Sequence, residues 1–198
     1  TNDNEVTINN ANVKTYIVGG YNQGYGRVES DGTILKTDAS QNKVTLSSVT
    51  LQDPIGDPDG FNVVGHFVVG GLIDKGGIGN AEINVVTLSS SSIIAEYVAG
   101  GVHLGKGLVQ NNWVNLTNTK VVGFVAGGLD WYGEEISLLS NNHVVINGGE
   151  ITGRVVGARS MSSMSSSAGE RPGANDNSVT ISDAKIKKDD DKGYKGHV

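Results

Sequence analysis

One short phrase recurs six times along this chain of 198 residues and limits what the chain can fold into. The phrase is Asn, any residue, Val, any residue, then Ile or Leu. Its copies begin at Asn4, Asn42, Asn84, Asn112, Asn142 and Asn177. In an extended strand the Asn, Val and Ile/Leu side chains of one copy lie on the same face, because successive side chains alternate. The recurrence predicts a single repeat domain over residues 1–198.

A second phrase follows the first copies: an apolar stretch that ends in two glycines. The pairs are Gly19-Gly20, Gly70-Gly71, Gly100-Gly101 and Gly127-Gly128, and the fifth repeat has Gly157-Ala158 in their place. Glycine permits positive φ and a close approach of backbones, so we expect these pairs to form turns between sheets. The glycine content, 29 residues, has no triplet period and therefore does not indicate collagen.

Counting back from the glycine pair gives three columns of like residues. Two positions before it are Ile17, Val68, Val98, Val125, Val155 and Val198. Six positions before it are Val13, Val64, Ile94, Val121, Ile151 and Tyr194. Three positions before it, on the opposite face, are Tyr16, Phe67, Tyr97, Phe124, Arg154 and His197. Apolar groups on both faces predict that both are at least partly covered.

The spacing of the two phrases predicts the fold. The first glycine comes 15 or 16 residues after the Asn in four of the five complete repeats, and 28 residues after it in the second. A constant strand–turn–strand unit with loops of varying length is typical of a stacked solenoid. The predicted fold class is all-β, a parallel β-helix or β-solenoid of about six irregular coils with loop insertions. Like residues then stack at ~4.8 Å, so the six asparagines are predicted to form an amide ladder.

Composition and motifs exclude several functions. The absence of cysteine excludes disulfides and thiolate metal sites. A net charge of −6 with scattered basic residues does not indicate a basic surface for nucleic acid. No apolar run approaches the ~18 residues of a transmembrane helix. No phosphate loop, nucleophile elbow or zinc-protease motif is present, and the histidines fall at different repeat positions. The sequence therefore predicts a protein that is not an enzyme and has no cofactor, with calcium as the one candidate metal.

The calcium candidates lie in the insertion of the second repeat. Asp53, Asp57 and Asp59 precede Gly60 there, and carboxylate oxygens are the ligands of hard cations. The same Asp-Pro-Asp-Gly stretch is also a plain turn signal. Both interpretations stay open, and a calcium titration separates them.

Two aromatic sites are candidates for contact with a partner. Trp131-Tyr132 is a candidate sugar-binding step, with simple packing of a loop as the alternative. The neighbouring Glu134-Glu135 is a poor catalytic pair, because adjacent carboxylates in an extended chain point to opposite sides. Trp113 has the opposite parity to Val114, so it faces away from the core column and covers a neighbouring face or a partner.

The repeat pattern resembles that of bacterial autotransporter passenger domains, which are adhesin-like surface proteins. Asn-x-Val-x-Ile, a spacer, an apolar stretch ending in Gly-Gly, and a loop of Gly, Ser and Asn are the shared elements, and they cover essentially all 198 residues. The resemblance implies a secreted β-solenoid stalk that is displayed at the bacterial cell surface in association with the outer membrane. It marks the architecture and names no ligand.

Three functions follow as expectations. The first is a non-enzymatic structural or adhesive segment that presents loops to a surface glycan or protein of a host or a bacterium. The second is a subunit of an extracellular filament that associates end to end, since neither end of the repeat array looks like a polar cap. The third is a carbohydrate-binding or carbohydrate-active β-helix that uses the column containing Tyr16 and Phe67. Burial of that column would exclude the third.

Overall fold

The computed structural model describes residues 1–23, 27–28, 30–31, 34–35, 37–52, 66–105, 107–130, 138–160 and 174–187. Over these residues the chain is all-β and contains no helix. The strands in chain order are β1 (Glu5–Asn9), β2 (Asn12–Val13), β3 (Ile17–Asn22), β4 (Arg27–Val28), β5 (Ile34–Leu35), β6 (Lys43–Ser47), β7 (Thr50–Leu51), β8 (Phe67–Ile73), β9 (Ala81–Glu82), β10 (Val85–Ser89), β11 (Ser92–His103), β12 (Val109–Gln110), β13 (Trp113–Asp130), β14 (Leu139–Ser140), β15 (His143–Thr152), β16 (Val155–Ser160), β17 (Ala174–Asn175) and β18 (Ser178–Lys187).

The sheets are mostly parallel, and the recurrent phrase sets their register. Strands β1, β6, β10, β13, β15 and β18 pair in this order, each with the next copy of the phrase. The valines of the six copies stand side by side: Val6, Val44, Val86, Val114, Val144 and Val179. Like therefore stacks on like, as the sequence predicts. The hairpin of β4 and β5 is antiparallel.

The strands of the recurrent phrase form the first set of parallel strands. Three further sets follow it along each repeat. The second set comprises β2, β7 and the parts of β11, β13, β15 and β18 that pair with them. The third comprises β3, β8, the ends of β11 and β13, and β16. The fourth is β9, β12, β14 and β17. The long strands β11 and β13 take part in more than one set, so the chain bends within them.

Left-handed backbone marks the bends around the recurrent phrase. The residue just before each Asn and the sixth residue after it have φ between 47° and 75°. Those before are Asp3, Gln41, Ile83, Asn111, Asn141 and Asp176, and those after are Asn10, Ser48, Ser90, Asn118, Gly148 and Asp183. Asn, Asp and Gly tolerate this conformation best. Ile83 is the exception, because a β-branched residue at φ 58° is a backbone outlier.

The glycine pairs do not supply these bends, so the prediction of positive-φ turns at them is wrong. Gly19, Gly20, Gly70, Gly71, Gly100, Gly101, Gly127 and Gly128 all lie inside strands β3, β8, β11 and β13. None of the eight has a positive φ. The other expectation for these glycines, a close approach of backbones, accounts for their presence, because a Cβ at Gly19, Gly70 or Gly100 would lie within 2.6 Å of a backbone oxygen of the next repeat.

The inward side chains of the first three sets form one hydrophobic core. Val44, Leu46, Val86 and Leu88 are fully buried in it, and the later copies of the same positions pack against them. The predicted column two residues before the glycines is also present, as Ile17, Val68, Val98, Val125 and Val155. Val198 lies outside the described residues. Each buried Val, Leu or Ile contributes ~1.5–3 kcal/mol through removal from water, so this core is the main source of stability.

The column predicted six residues before the glycines is corrected in two repeats. The strands align Val13 with Leu51, and Leu51 with Ile93. Ile94 is 40% exposed and does not belong to the core, and Val64 and Tyr194 lie outside the described residues. In the third repeat the count from the glycines fails because β11 shifts register between Ile94 and Tyr97. In the second it fails because the insertion lies between Leu51 and the glycines.

Candidate functional site

The six recurrent asparagines are joined side chain to side chain. The Nδ2 of Asn4 donates to Oδ1 of Asn42 at 2.7 Å, and Asn42 donates to Asn84 at 2.9 Å. The same bond continues from Asn84 to Asn112 at 3.0 Å and from Asn112 to Asn142 at 2.9 Å. The last bond runs from Asn142 to Asn177 at 3.0 Å. The side chains thus connect all six repeats in one direction.

Three asparagines of the ladder, Asn84, Asn112 and Asn142, use their amides fully. Oδ1 of Asn112 accepts from both the backbone N–H and the Nδ2 of Asn84, each at 3.0 Å. Its Nδ2 donates to Oδ1 of Asn142 and to the backbone oxygen of Ala81, both at 2.9 Å. An Asn side chain offers two donor hydrogens and an oxygen with two lone pairs, so all four are paired. These buried amides cost little to bury, because none of their polar groups is left without a partner.

The glycine pairs pack directly against this ladder. A Cβ added to Gly128 would lie 2.7 Å from Cγ of Asn142, and one added to Gly101 would lie 2.6 Å from Nδ2 of Asn112. Both distances are shorter than carbon and nitrogen atoms tolerate. In the four Gly-Gly pairs, the asparagine of the following repeat thus leaves no room for a Cβ at the second glycine. This contact links the two recurrent phrases, which the sequence shows only as separate patterns.

A second polar column is buried at the far end of the third set of strands. The backbone register places His103 beside Asp130, and Asp130 beside Ser160. His103 and Asp130 are fully buried. The backbone N–H of Gly105 donates to Nδ1 of His103 at 3.0 Å, and Nε2 of His103 lies 3.0 Å from the carbonyl oxygen of Gly79.

These contacts favour a structural role for the column. The hydroxyl of Ser160 donates to Oδ2 of Asp130 at 3.0 Å, whereas both ring nitrogens of His103 contact backbone groups. An imidazole that activates a serine must instead accept the proton of its hydroxyl. The sequence pattern did not single out this column, although each member lies two residues after the second glycine or its replacement.

The aromatic column is stacked, and its centre is buried. The rings of Tyr16 and Phe67 lie 5.2 Å apart between centroids, and those of Phe67 and Tyr97 lie 5.2 Å apart and almost parallel. Phe67 and Tyr97 are buried, and the guanidinium of Arg159 lies 5.3 Å from the centroid of the Phe124 ring. The ring of Phe67 is covered on both sides by Tyr16 and Tyr97, whereas Tyr16 at the end of the column is 46% exposed. The condition set for carbohydrate binding along this column, an exposed stripe, is not met.

A separate, exposed aromatic platform lies on the first set of strands. We call the outer face the outward side of the first set of strands, from Glu5, Thr7 and Asn9 in the first repeat to Ser178, Thr180 and Ser182 in the sixth. Trp113 lies there, 40% exposed, and its ring centroid is 4.1 Å from that of His143. Ring nitrogens of His143 lie 2.7 Å from Oγ of Ser178 and 2.8 Å from Oδ1 of Asn141. Nδ2 of Asn141 in turn donates to Oδ1 of Asn111 at 2.6 Å.

Two ionisable groups have shifted pKa values. Burial, and then the hydrogen bond to Asp74, raise the pKa of Tyr21 above its ordinary value. The hydrogen bond from Lys187, at 2.7 Å, lowers the pKa of Glu150. Neither group lies beside the Trp113 platform or in the buried polar column. They are local features of strand ends.

The remaining predicted site residues lie outside the described residues. They are Asp53, Asp57 and Asp59 of the calcium candidate, and Trp131 and Tyr132 of the aromatic step. Among the residues that the structure describes, no group of three or more His, Asp or Glu is placed to hold a metal ion. The described part of the chain likewise has no helix of the length and hydropathy needed to cross a membrane.

Comparison with known proteins gives no relative. No family model matches the chain, and no curated protein and no solved structure matches it.

Proposed function

We propose that this chain is a non-enzymatic, rigid segment of a secreted bacterial surface protein, and that its loops attach to a glycan or protein of a cell surface. In this proposal the chain forms a β-solenoid of six coils, one for each recurrent Asn. The resemblance to autotransporter passenger repeats supports the cell-surface location. The observation that carries the proposal is the unbroken asparagine ladder from Asn4 to Asn177.

The recurrent positions support a mechanical role, because stacking uses them all. The valine and Ile/Leu positions fill the core, the asparagines connect neighbouring repeats, and the glycines give the asparagines room. Variation in length falls between these positions, as in the stretch from Leu51 to Phe67 of the second repeat. A repeat protein tolerates insertions at such places because they project from one face and leave the register intact.

Duplication of one repeat tests the architecture. A second copy of residues 84–111 adds one full period and should leave the chain folded, with unfolding temperature unchanged or raised, because each repeat contacts only its neighbours. A second copy of residues 84–97 adds half a period and serves as the control. It should disrupt the ladder and lower the unfolding temperature. Equal behaviour of both duplications would contradict the solenoid.

Attachment is tested with beads that carry the purified chain. Retention on epithelial and on bacterial cells is compared with that of a variant whose insertion 53–65 is replaced by a short linker. Circular dichroism verifies that the variant keeps its strands. The proposal expects retention by the full chain and loss in the variant. Cleavage of a polysaccharide by the purified chain, or retention equal to that of bare beads, would contradict it.

A filament subunit is the second candidate function, and the two outermost strands of the first set favour it. Val6 and Ile8 in β1, and Val179 and Ile181 in β18, are partly buried although their counterparts between them are fully buried. Both strands have a free parallel edge in the described structure, and such edges are templates for pairing with another chain. A head-to-tail contact of β18 with β1 of a second copy would repeat without closing.

Sedimentation at rising protein concentration distinguishes the two candidates. A filament subunit gives a series of species that grows with concentration. The N–H of Ser178 bonds to Asn142 in the neighbouring repeat, so the N–H of Val179, the next residue, points to the free edge of β18. Replacing Val179 by proline removes this backbone donor from the edge and should abolish that growth. A chain that stays monomeric throughout argues for the stalk segment alone.

A further inference from the structure

We propose that the Trp113 platform on the outer face is a binding site for neutral oligosaccharides. The indole ring would carry the apolar face of a pyranose, and the amides of Asn111 and Asn141 would bind its hydroxyls. The proposal concerns a sheet face, whereas the proposed function relies on loops. The two can therefore fail separately.

The indole ring is both accessible and fixed. Trp113 is 40% exposed, and one of its faces rests against the ring of His143 at 4.1 Å between centroids, with an angle of 34° between the planes. His143 is itself held at both nitrogens, by Ser178 and Asn141. An exposed aromatic that is already ordered loses little conformational entropy when a ligand stacks on it.

The amides beside the indole have unused hydrogen-bond capacity. Asn141 donates one Nδ2 hydrogen to Asn111 Oδ1 and accepts at Oδ1 from the His143 ring. Its second Nδ2 hydrogen and both Nδ2 hydrogens of Asn111 have no partner among the described residues. A side-chain amide carries two donors and one acceptor oxygen, so the platform offers three donors at defined positions. Hydroxyl oxygens are suitable acceptors for them.

The charge of the surroundings selects a neutral ligand. From the third repeat to the sixth, the outer face contains no Lys or Arg at its described positions. The nearest basic residue of that face, Lys43, is paired with Glu5 at 3.0 Å. Asp176 lies at the corner next to Asn141, and it repels carboxylates and phosphates. Acidic glycans are thereby disfavoured.

The composition of the face also favours a polyhydroxyl ligand over a protein partner. The apolar surface near the indole is limited to Ile83, Val85 and Val145. Apart from His143, the other outward positions from the third repeat to the sixth are Thr, Ser and Asn. A stable protein interface buries about 800 Å² on each partner around an apolar centre. The face instead has one exposed aromatic ring surrounded by polar groups, as do sites for amphipathic small ligands.

The indole N–H signals of the two tryptophans, observed by ¹⁵N-labelled NMR, report on the proposal with the full chain. Cellohexaose and N-acetylchitohexaose are the neutral probes, and a hexamer of galacturonic acid is the acidic one. We expect at least one neutral probe to shift the Trp113 signal with a dissociation constant of about 1 mM or tighter. The acidic hexamer should bind at least about tenfold more weakly.

Two tryptophan variants provide the matched comparison. Trp113→Thr introduces a residue that already occupies outward positions of this sheet, so the fold should persist, and binding should weaken at least about tenfold. Trp131→Phe should bind as the unchanged chain does. His143→Gln, which leaves the indole without its stacked support, should weaken binding by a smaller factor.

Several outcomes would overturn the proposal. They are no shift of the Trp113 signal by either neutral probe, undiminished binding by Trp113→Thr, loss of binding in Trp131→Phe alone, or preference for the acidic hexamer. Saturable binding of a protein ligand at Trp113, without binding of either neutral probe, would also count against it. Cell attachment that survives Trp113→Thr would leave the loop-based function standing and tell the two proposals apart.

Discussion

Asn84 and Asn112 share two hydrogen bonds through a single oxygen. Oδ1 of Asn112 accepts the backbone N–H and the Nδ2 of Asn84, each at 3.0 Å, and both residues are fully buried. The backbone N–H of Asn84 follows a left-handed residue, Ile83, and bonds to this side chain rather than to a backbone carbonyl. The side chain of one repeat therefore completes the backbone hydrogen bonding of the previous one.

Replacement of Asn84 by alanine should lower the free energy of unfolding by about 3 kcal/mol or more. The change removes the acceptor of two buried donors of Asn42 and leaves the carbonyl of Ala39 without its side-chain donor. Each buried polar group left unpaired costs ~1–3 kcal/mol. Urea denaturation followed by circular dichroism measures the loss.

Asn4→Ala is the matched control for this prediction. Asn4 is exposed and donates to Asn42 without accepting from another asparagine in the described structure. Its loss should cost ~1 kcal/mol or less, as for an ordinary partly exposed hydrogen bond. Equal losses at positions 4 and 84 would show that the ladder adds nothing beyond local bonds.

The stacking of the recurrent phrase was predictable because no residue is inserted within it. Val44, Val86 and Val114 share a constant offset from their asparagines, so counting places them in one column. Counting from the glycines failed between Ile94 and Tyr97, where two residues of β11 stand opposite the single Gly123 of β13. Backbone pairing sets register, and an offset counted along the chain does not detect such a bulge.

The sequence predicted only part of the Trp113 platform and of the left-handed bends that precede the recurrent asparagines. The parity of Trp113 indicated that it faces outward, and the recurrent phrase places His143 at the same position of the next copy, 30 residues later. The stacking of the two rings depends on their side-chain conformations, which the repeat pattern does not specify. The corners at Asn111 and Asn141 have suitable residues for positive φ, whereas Ile83 at the same position carries no such signal. Steric preference indicates where a left-handed residue is tolerated, and tertiary packing can override it.

Ile83→Asn should raise the free energy of unfolding by about 1 kcal/mol. Ile83 has φ 58° and is 50% exposed, so the change relieves backbone strain and sacrifices little buried surface. The converse change, Asn111→Ile at φ 56°, should lower it by a similar amount. Urea midpoints of the two variants provide the measurement, and a loss of stability in Ile83→Asn would contradict the assignment of strain.

Gly128→Ala should be among the more damaging single-methyl changes in the chain, at about 2 kcal/mol or more. Its new Cβ would lie 2.7 Å from Cγ of Asn142, which has no room to retreat because its amide is bonded on both sides. Ala158, the register partner of Gly128, provides the control. Ala158→Gly should cost ~1 kcal/mol or less. Thermal unfolding of the two variants measures the loss of stability. Similar losses in both would show that the ladder can shift to accommodate the extra methyl group.

The pair of Glu150 and Lys187 predicts a limited dependence of stability on pH. The hydrogen bond from Lys187 holds the pKa of Glu150 below its ordinary value of 4.5. A depressed pKa means that the unfolded chain binds the proton more readily, so the contribution is complete above the unfolded pKa and is lost as pH falls through the folded pKa. In Glu150→Gln this part of the acid dependence should disappear, and Lys187→Gln should remove the same part. A double-mutant cycle of urea midpoints between neutral pH and pH about 3 measures it, and full acid dependence in Glu150→Gln would assign the effect to other carboxylates.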